Sequence, residues 1–258
     1  TGGLPPMNQP PPAARRFLSN VGQFVLILAI VVFTKTVAAE AYYVPSGSMQ
    51  PTLLIGDELM VSKFSYGYSR YSVPFGLGPS RPERLFGRLP ARGDVVVFRL
   101  PSDPSQTYVK RVIGLPGDRL QMRDGRLWIN GAMLPVRHDG IGPVEMEDGG
   151  SEQAALNIET LPGGREHPIY KFAGTGELDN TEVFDVTPGH VFVMGDNRDD
   201  SADSRLAPQA GGVGLVPVEN LVGRVDVVLG SWDLGIAHDP IWTWPSGLRL
   251  SRFFSWVN

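Results

Sequence analysis

Val44-Pro45-Ser46-Gly47-Ser48-Met49-Gln50-Pro51-Thr52-Leu53 is the stretch around which this chain is organised. Two serines stand one residue apart on a backbone stiffened by Pro45 and Pro51 and loosened by Gly47. A hydroxyl held on such a turn can meet a carbonyl without a side-chain search, which nucleophilic catalysis needs. The same residue types also compose ordinary loops. The choice between the two readings rests on what flanks the turn: an uncharged apolar run before it, and short β-branched segments after it.

Upstream, Phe17 to Thr34 carries no charge between Arg16 and Lys35. As a helix rising about 1.5 Å per residue, the run would span roughly 27 Å, close to a hydrocarbon core of about 30 Å. Arg15 and Arg16 then place the N-terminus on the cytoplasmic side. A second reading is open, because Ala39-Glu40-Ala41 after the run also fits the cleavage site of a secretory signal. The run is longer than the usual signal core, which favours an uncleaved anchor over residues 17–40. Residues 1–16, rich in Gly, Pro and Ala, are expected to be a disordered cytoplasmic tail. Met7 is a candidate natural start, which would make Thr1 to Pro6 an expression remnant.

Downstream the pattern is that of strands separated by turns, as 31 glycines and 23 prolines suggest. Leu59 to Phe64 partly alternates. Tyr66 to Arg88 reads as a long loop. Val95-Val96-Val97-Phe98 is a continuous apolar run suited to a strand buried on both faces. Tyr108 to Ile113 is a further strand, closed by Gly114-Leu115-Pro116-Gly117-Asp118, and Asn130-Gly131 after Leu127-Trp128-Ile129 signals a hairpin. Residues 132–186 are more polar and weakly periodic, and read as an inserted β-rich lobe. His190 to Met194 and Leu221 to Leu229 return to strand. The C-terminal stretch mixes Trp242, Trp244, Phe253, Phe254 and Trp256 with Arg249 and Arg252. It reads either as a surface resting on lipid head groups or as a tail packed on the core.

A formal net charge of -4 gives no footprint for nucleic acid. The chain has no cysteine, which excludes disulfides, thiol nucleophiles and thiolate metal sites. His138, His167, His190 and His238 show no metal-ligand spacing and read as surface or structural histidines, so no metal or other cofactor is expected. What remains is lysine. Alternation puts Tyr108, Lys110 and Val112 on one face of their strand. Lys110 is then either a solvated charge at an edge or a buried amine. Burial would lower its pKa and make it a base near neutral pH. The acidic and basic cluster from Gly195 to Arg205 reads as a loop knotted internally by Asp/Arg pairs, or less closely as a calcium loop lacking the glycine and distal glutamate of an EF-hand.

Together these segments resemble the ordered boxes of bacterial type I signal peptidases. The resemblance is carried by Ser46-Gly47-Ser48-Met49 with Pro51-Thr52-Leu53, by Arg92 to Phe98, by Tyr108-Val109-Lys110-Arg111 with Gly114 to Asp118, and by Gly195-Asp196-Asn197-Arg198 with Ser201 and Asp203-Ser204-Arg205. Val216-Pro217 with Asn220 to Arg224, and Gly247 to Arg252, are similar to later family segments. The resemblance implies a mainly β protein: a single transmembrane helix, a large antiparallel-β catalytic domain from 41–131 and 187–258, and the smaller inserted lobe at 132–186. It implies a membrane-bound serine endopeptidase that removes signal peptides from exported preproteins after an A-x-A-type site. Ser48 would be the nucleophile and Lys110 the base. Ser46 would serve the oxyanion hole and Ser201 would orient the amine. Arg111 with Asp196, and Asp203 with Arg205, would form structural ion pairs. Val44, Met49, Leu53, Tyr108 and Val109 would line the substrate pocket. The implied setting is the bacterial plasma membrane, near the export translocon, with the catalytic domain on the periplasmic side. Residues 206–215 depart from the family pattern, being longer and more flexible. A self-cleaving Ser/Lys repressor-type protease is a weaker match, since such proteins carry a DNA-binding module and no anchor. A non-enzymatic β domain would instead leave Lys110 titrating as an ordinary exposed amine.

Overall fold

The computed structural model describes residues 12–37, 39–72, 84–146, 150–174, 176–233, 235 and 241–257, without the side chains of 12–16, 18, 29, 32–37 and 241. The uncharged run lies in helix α1 (Pro12–Val37). The segments that follow become short strands: β1 (Ala39–Tyr43), β2 (Asp57–Ser62), β3 (Val95–Arg99), β4 (Thr107–Gly114), β5 (Arg119–Arg123), β6 (Arg126–Ile129) and β7 (Ala132–Met133). They continue as β8 (Val136–Glu145), β9 (Ser151–Thr160), β10 (Glu166–Lys171), β11 (Phe184–Asp185), β12 (His190–Met194), β13 (Val216–Pro217), β14 (Leu221–Ser231) and β15 (Ser255–Trp256).

Three sheets form among the described residues. The largest runs β1-β2-β14-β3-β4-β12-β13, with β15 on β14; β8–β10 make a three-stranded sheet, and β11-β5-β6-β7 a four-stranded one. The paired strands are antiparallel. The protein is thus mainly β. Its central strand is the Val95–Phe98 run, and both faces are covered as the continuous apolar pattern requires. Val95 and Val97 pack with Val44, Leu53 and Leu59, while Val96 and Phe98 pack with Val112, Val191 and Leu221. Register shifts in β14 against β2 and β3 mark bulges that bend this long strand between its neighbours.

The Asn130-Gly131 hairpin forms, with φ of 52° and 81°. These left-handed values are what a two-residue turn between right-twisted strands requires. Asp124-Gly125 makes an equivalent turn between β5 and β6, with φ of 47° and 72°. It carries the same Asp-Gly signal and was passed over in the sequence reading. The loop expected from Tyr66 to Arg88 is partly ordered: Tyr68 bridges Leu85, and the Arg84 guanidinium donates to the backbone oxygens of Tyr66, Gly67, Val218 and Leu221. Residues 73–83 of that loop lie outside the described residues.

One expectation is corrected, and one open choice is narrowed. The anchor placed at 17–40 does not run to residue 40, because Ala39 and Glu40 already pair with Ser62 and Val61 in β1 and β2. Among the described residues no helix is long and apolar enough to cross a membrane. The C-terminal arginines are not free for head groups. Arg249 donates to the Ile55 carbonyl and the Glu145 carboxylate, and Arg252 to Asp57 and the Thr52 carbonyl. The aromatics there divide: Trp242, Phe254 and Trp256 are exposed, while Trp244 packs edge-on against Trp232. The tail to residue 11, the side chains of Arg15, Arg16 and Lys35, and His238 lie outside the described residues.

Phe98 is a fully buried residue of β3 that packs with Val96, Val112, Val191 and Leu221 on one of its faces. Phe98→Ala is expected to destabilise the fold by about 3–5 kcal/mol, read as a lower urea midpoint with the slope of the transition unchanged.

Candidate active site

The Ser48 turn is a single turn of 3-10 helix, Gly47–Met49, that leaves β1 and returns to β2. Gln50 N–H closes it on the Gly47 carbonyl at 3.0 Å, and Leu53 N–H bonds the Met49 carbonyl at 2.9 Å. Val44, Met49 and Leu53 are sunk in the core and pin the turn from below. The Ser48 hydroxyl is thereby brought to Lys110, 62 residues away, with Nζ 2.6 Å from Oγ. Lys110 sits on β4, its backbone paired with Val96 at the middle of the sheet. Only 3% of it is exposed. Burial pushes the amine down to about 8, against the opposing pull of the Asp203, Asp196 and Asp200 carboxylates. The Tyr108 ring lies 5.6 Å from the amine. A hydroxyl in contact with an amine that titrates near neutrality can lose its proton to it, and so attack a carbonyl.

The Gly195–Arg205 loop supplies the far wall. Its ties run mostly outward rather than within itself, which corrects the reading of an internally knotted loop. Arg111, fully buried on β4, grips Asp196 with two bonds of 2.8 Å and also donates to the Gly93 carbonyl. Thr52 donates to the same carboxylate. Burial raises the Asp196 carboxyl, but the Arg111 guanidinium overrides it and holds the group below its ordinary value. Arg198 is paired with Glu159 of β9, and Lys171 of β10 with Asp199 at 2.5 Å. Asp203 and Arg205 form the one pair within the cluster among the described residues, and Asp203 also accepts from Gly195 N–H at 2.9 Å. Gly195 is glycine for a steric reason: a Cβ there would collide with the Ser201 hydroxyl and the Ser48 carbonyl.

Ser46 Oγ is 3.3 Å from Ser48 Oγ. Ser201 is buried at the same place, yet its Oγ has no hydrogen-bond partner among the described residues. The bond from Ser201 to the Lys110 amine implied by the resemblance is therefore not made here. His167 is buried between Glu159 and Asp196, and burial pushes its pKa down to about 4, so it is neutral at pH 7. Among the described residues no group of three or more His, Asp or Glu is placed to hold a metal ion.

A cavity of about 470 Å³ opens onto Ser46, Ser48 and Lys110. Tyr42, Tyr43 and Pro45 contribute from β1 and its exit, and Thr107, Tyr108 and Val109 from β4. Tyr108 and Val109, two of the residues expected in the substrate pocket, line this cavity. Val44, Met49 and Leu53 do not, since the turn rotates all three into the core. Asp200 and Ala202 reach the cavity without having been foreseen. No role was foreseen for Gln50 and Thr52, which lie inside the quoted turn, or for Asn197, which bonds both the Ser48 and Gly47 carbonyls. Glu159 and His167 lie in a segment without a recognisable motif and offered no signal.

Known proteins resemble this chain over most of its length. The family described as "Signal peptidase, peptidase S26" matches residues 17–232. Signal peptidase I of Rickettsia massiliae is 37% identical over 249 residues, covering 90% of this chain and 90% of that protein. Signal peptidase I of Rickettsia typhi is 38% identical over 247 residues, with the same coverage of each. A crystal structure of a signal peptidase I from Enterococcus faecalis is 26% identical over 54% of this chain and 97% of that one, with a TM-score of 0.31.

The depressed amine has a consequence for stability. Between about pH 8 and the ordinary lysine value of 10.5 the unfolded chain binds the proton that the folded chain has released. Stability therefore rises with pH through that window and is lowest below it. Lys110→Met removes the term. The variant is expected to be more stable than the parent at pH 7, by about 3 kcal/mol, and to lose that advantage by pH 10.5. Chemical denaturation of both proteins at the two pH values checks it.

Proposed function

The chain belongs to the signal peptidase I family of serine peptidases, and we propose that it cleaves signal peptides from exported preproteins with a Ser48/Lys110 dyad, after an A-x-A-type site. Its action on signal peptides follows from the family. The observation that supports the dyad is the buried Lys110 amine, 2.6 Å from the Ser48 hydroxyl and pushed down to about 8. Neutral Lys110 takes the hydroxyl proton as Ser48 attacks the scissile carbonyl. It then returns the proton to the leaving amine, and water repeats the cycle on the acyl-enzyme. The Ser46 hydroxyl, beside Ser48, donates to the developing oxyanion, a contribution of about 3–4 kcal/mol. Ser201 Oγ, buried and unpartnered against Gly195, orients the amine once the substrate fills the cavity. The Arg111–Asp196 and Asp203–Arg205 pairs hold the loop in register with β4.

The substrate is read as an extended strand entering between β1 and the Thr107–Lys110 segment, where backbone edges and small apolar spaces meet. Tyr108 and Val109 limit the side chains admitted, with Val44, Met49 and Leu53 as the packed layer behind them. Small residues on either side of a variable one satisfy such a site. We divide the chain into a cytoplasmic tail at 1–16, an anchor beginning at 17, a catalytic core at 41–131 and 187–258, and a lobe at 132–186. The anchor is supported by the charge-free sequence and by the exposed Phe17, Phe24, Val25, Leu26 and Ile27 along α1. It would hold the core on the periplasmic face of the bacterial plasma membrane, close to where the translocon delivers preproteins.

In detergent, the protein is expected to cut a preprotein immediately after its A-x-A site, shown by sequencing the new N-terminus. Ser48→Ala, Lys110→Ala and Lys110→Arg should each lose at least about a thousandfold in kcat/KM, the last because a guanidinium stays charged. The rise of kcat/KM with increasing pH, as Lys110 loses its proton, should centre near pH 8. Turnover retained in any of the three folded variants would exclude the dyad.

A further inference from the structure

Gln50 is fully buried two residues after Ser48, and its amide makes two bonds with the backbone of a single residue in another sheet. Its Nε2 donates to the Glu145 carbonyl at 2.8 Å, and its Oε1 accepts from the Glu145 N–H at 2.9 Å. The pair reproduces a β-bridge, with a side chain in place of a strand. Glu145 is the last residue of β8, in the inserted sheet. The amide also lies directly under Gly47, where an added Cβ would strike Nε2. Nothing about Gln50 is generic packing. A buried amide stripped of its partners is costly, so this one fits only while the end of β8 stays where it is.

The inserted sheet reaches the same turn from a second side. Tyr170 of β10 donates its N–H to the Asp196 carbonyl and accepts from Arg198 N–H, forming a parallel bridge around Asn197. Asn197 then bonds the Ser48 carbonyl through its N–H and the Gly47 carbonyl through its side chain. The nucleophile turn is thus held between two clamps, and both are mounted on the β8–β10 sheet.

We propose that Gln50 is a positioning residue, through which the inserted sheet sets the distance between the Ser48 hydroxyl and the Lys110 amine. The proposal rests on the Ser48/Lys110 reading above. Releasing the clamp lets the turn drift while the apolar pocket stays, so the chemical step suffers and substrate binding does not.

Gln50→Met keeps the length and volume and removes both bonds. Measured on the full chain in detergent with a preprotein substrate, kcat should fall about 10–100-fold while KM stays within about twofold. Gln50→Glu keeps the acceptor and loses the donor, and should fall between the parent and Gln50→Met; it also carries the test if the methionine variant does not fold. Leu127→Ala, in the core of the four-stranded sheet, supplies a control that loses thermal stability but retains kcat below its melting temperature. A folded Gln50 variant with parental kcat, or one whose kcat falls only as far as the control's at matched stability, overturns the proposal. Ser48→Ala and Lys110→Ala run in the same assay separate the two failures. If they retain turnover, the dyad reading is wrong; if they are dead while Gln50→Met is fully active, the clamp alone is wrong.

Discussion

Keeping a lysine amine out of water beside a serine hydroxyl is the constraint on which the rest of this structure depends. A buried ammonium is disfavoured, and Lys110 answers by titrating low rather than by finding a carboxylate in contact. That outcome requires carboxylates nearby to be held by other cations. Asp196 is held by Arg111, and Asp203 by Arg205. Were either guanidinium lost, the freed carboxylate would draw the proton back onto the amine. The ion pairs therefore matter less for their own stabilisation, which desolvation largely offsets, than for what they withhold from Lys110.

The same pairs are mechanical. Arg111 stands next to Lys110 on β4, so the residue that neutralises Asp196 also fixes the loop that walls the site. Thr52 shares that carboxylate and draws the Ser48 turn to it, while Arg252 holds the Thr52 carbonyl from the C-terminal segment. Arg198, Glu159 and neutral His167 extend the buried network into the inserted sheet. Breaking one member of so closed a network leaves a charge without a partner in a dry interior, typically a loss of about 3–5 kcal/mol. The C-terminal arginines show the same economy of position: they lie among exposed aromatics but are spent on Asp57 and Glu145.

Much of this was legible in the residues. The Val95–Phe98 run suits a strand covered on both faces, and Asn130-Gly131 signals a tight turn, since few residues adopt positive φ cheaply. Ser48, Lys110 and Asp196 were recognisable as parts of motifs. The pocket was read less well. Alternation assigns a residue to a face within a strand, but Val44, Met49 and Leu53 sit around a 3-10 turn, where no such period applies, and all three turn inward. Gln50 and Glu159 were not legible at all, because a glutamine in a turn and a glutamate in a polar strand look like solvated residues until a distant partner meets them.

By itself the sequence determined most of the local elements and, having no cysteine, the absence of thiol chemistry. Those follow from residue type, spacing and period, which are properties of neighbours along the chain. Only the tertiary structure decided that the Lys110 amine is dry, that it touches Ser48 across 62 residues, that the acidic loop is tied outward, and that the β8–β10 sheet grips the Ser48 turn. Burial and long-range hydrogen bonding depend on what packs from elsewhere, and the chemistry of this lysine depends on both.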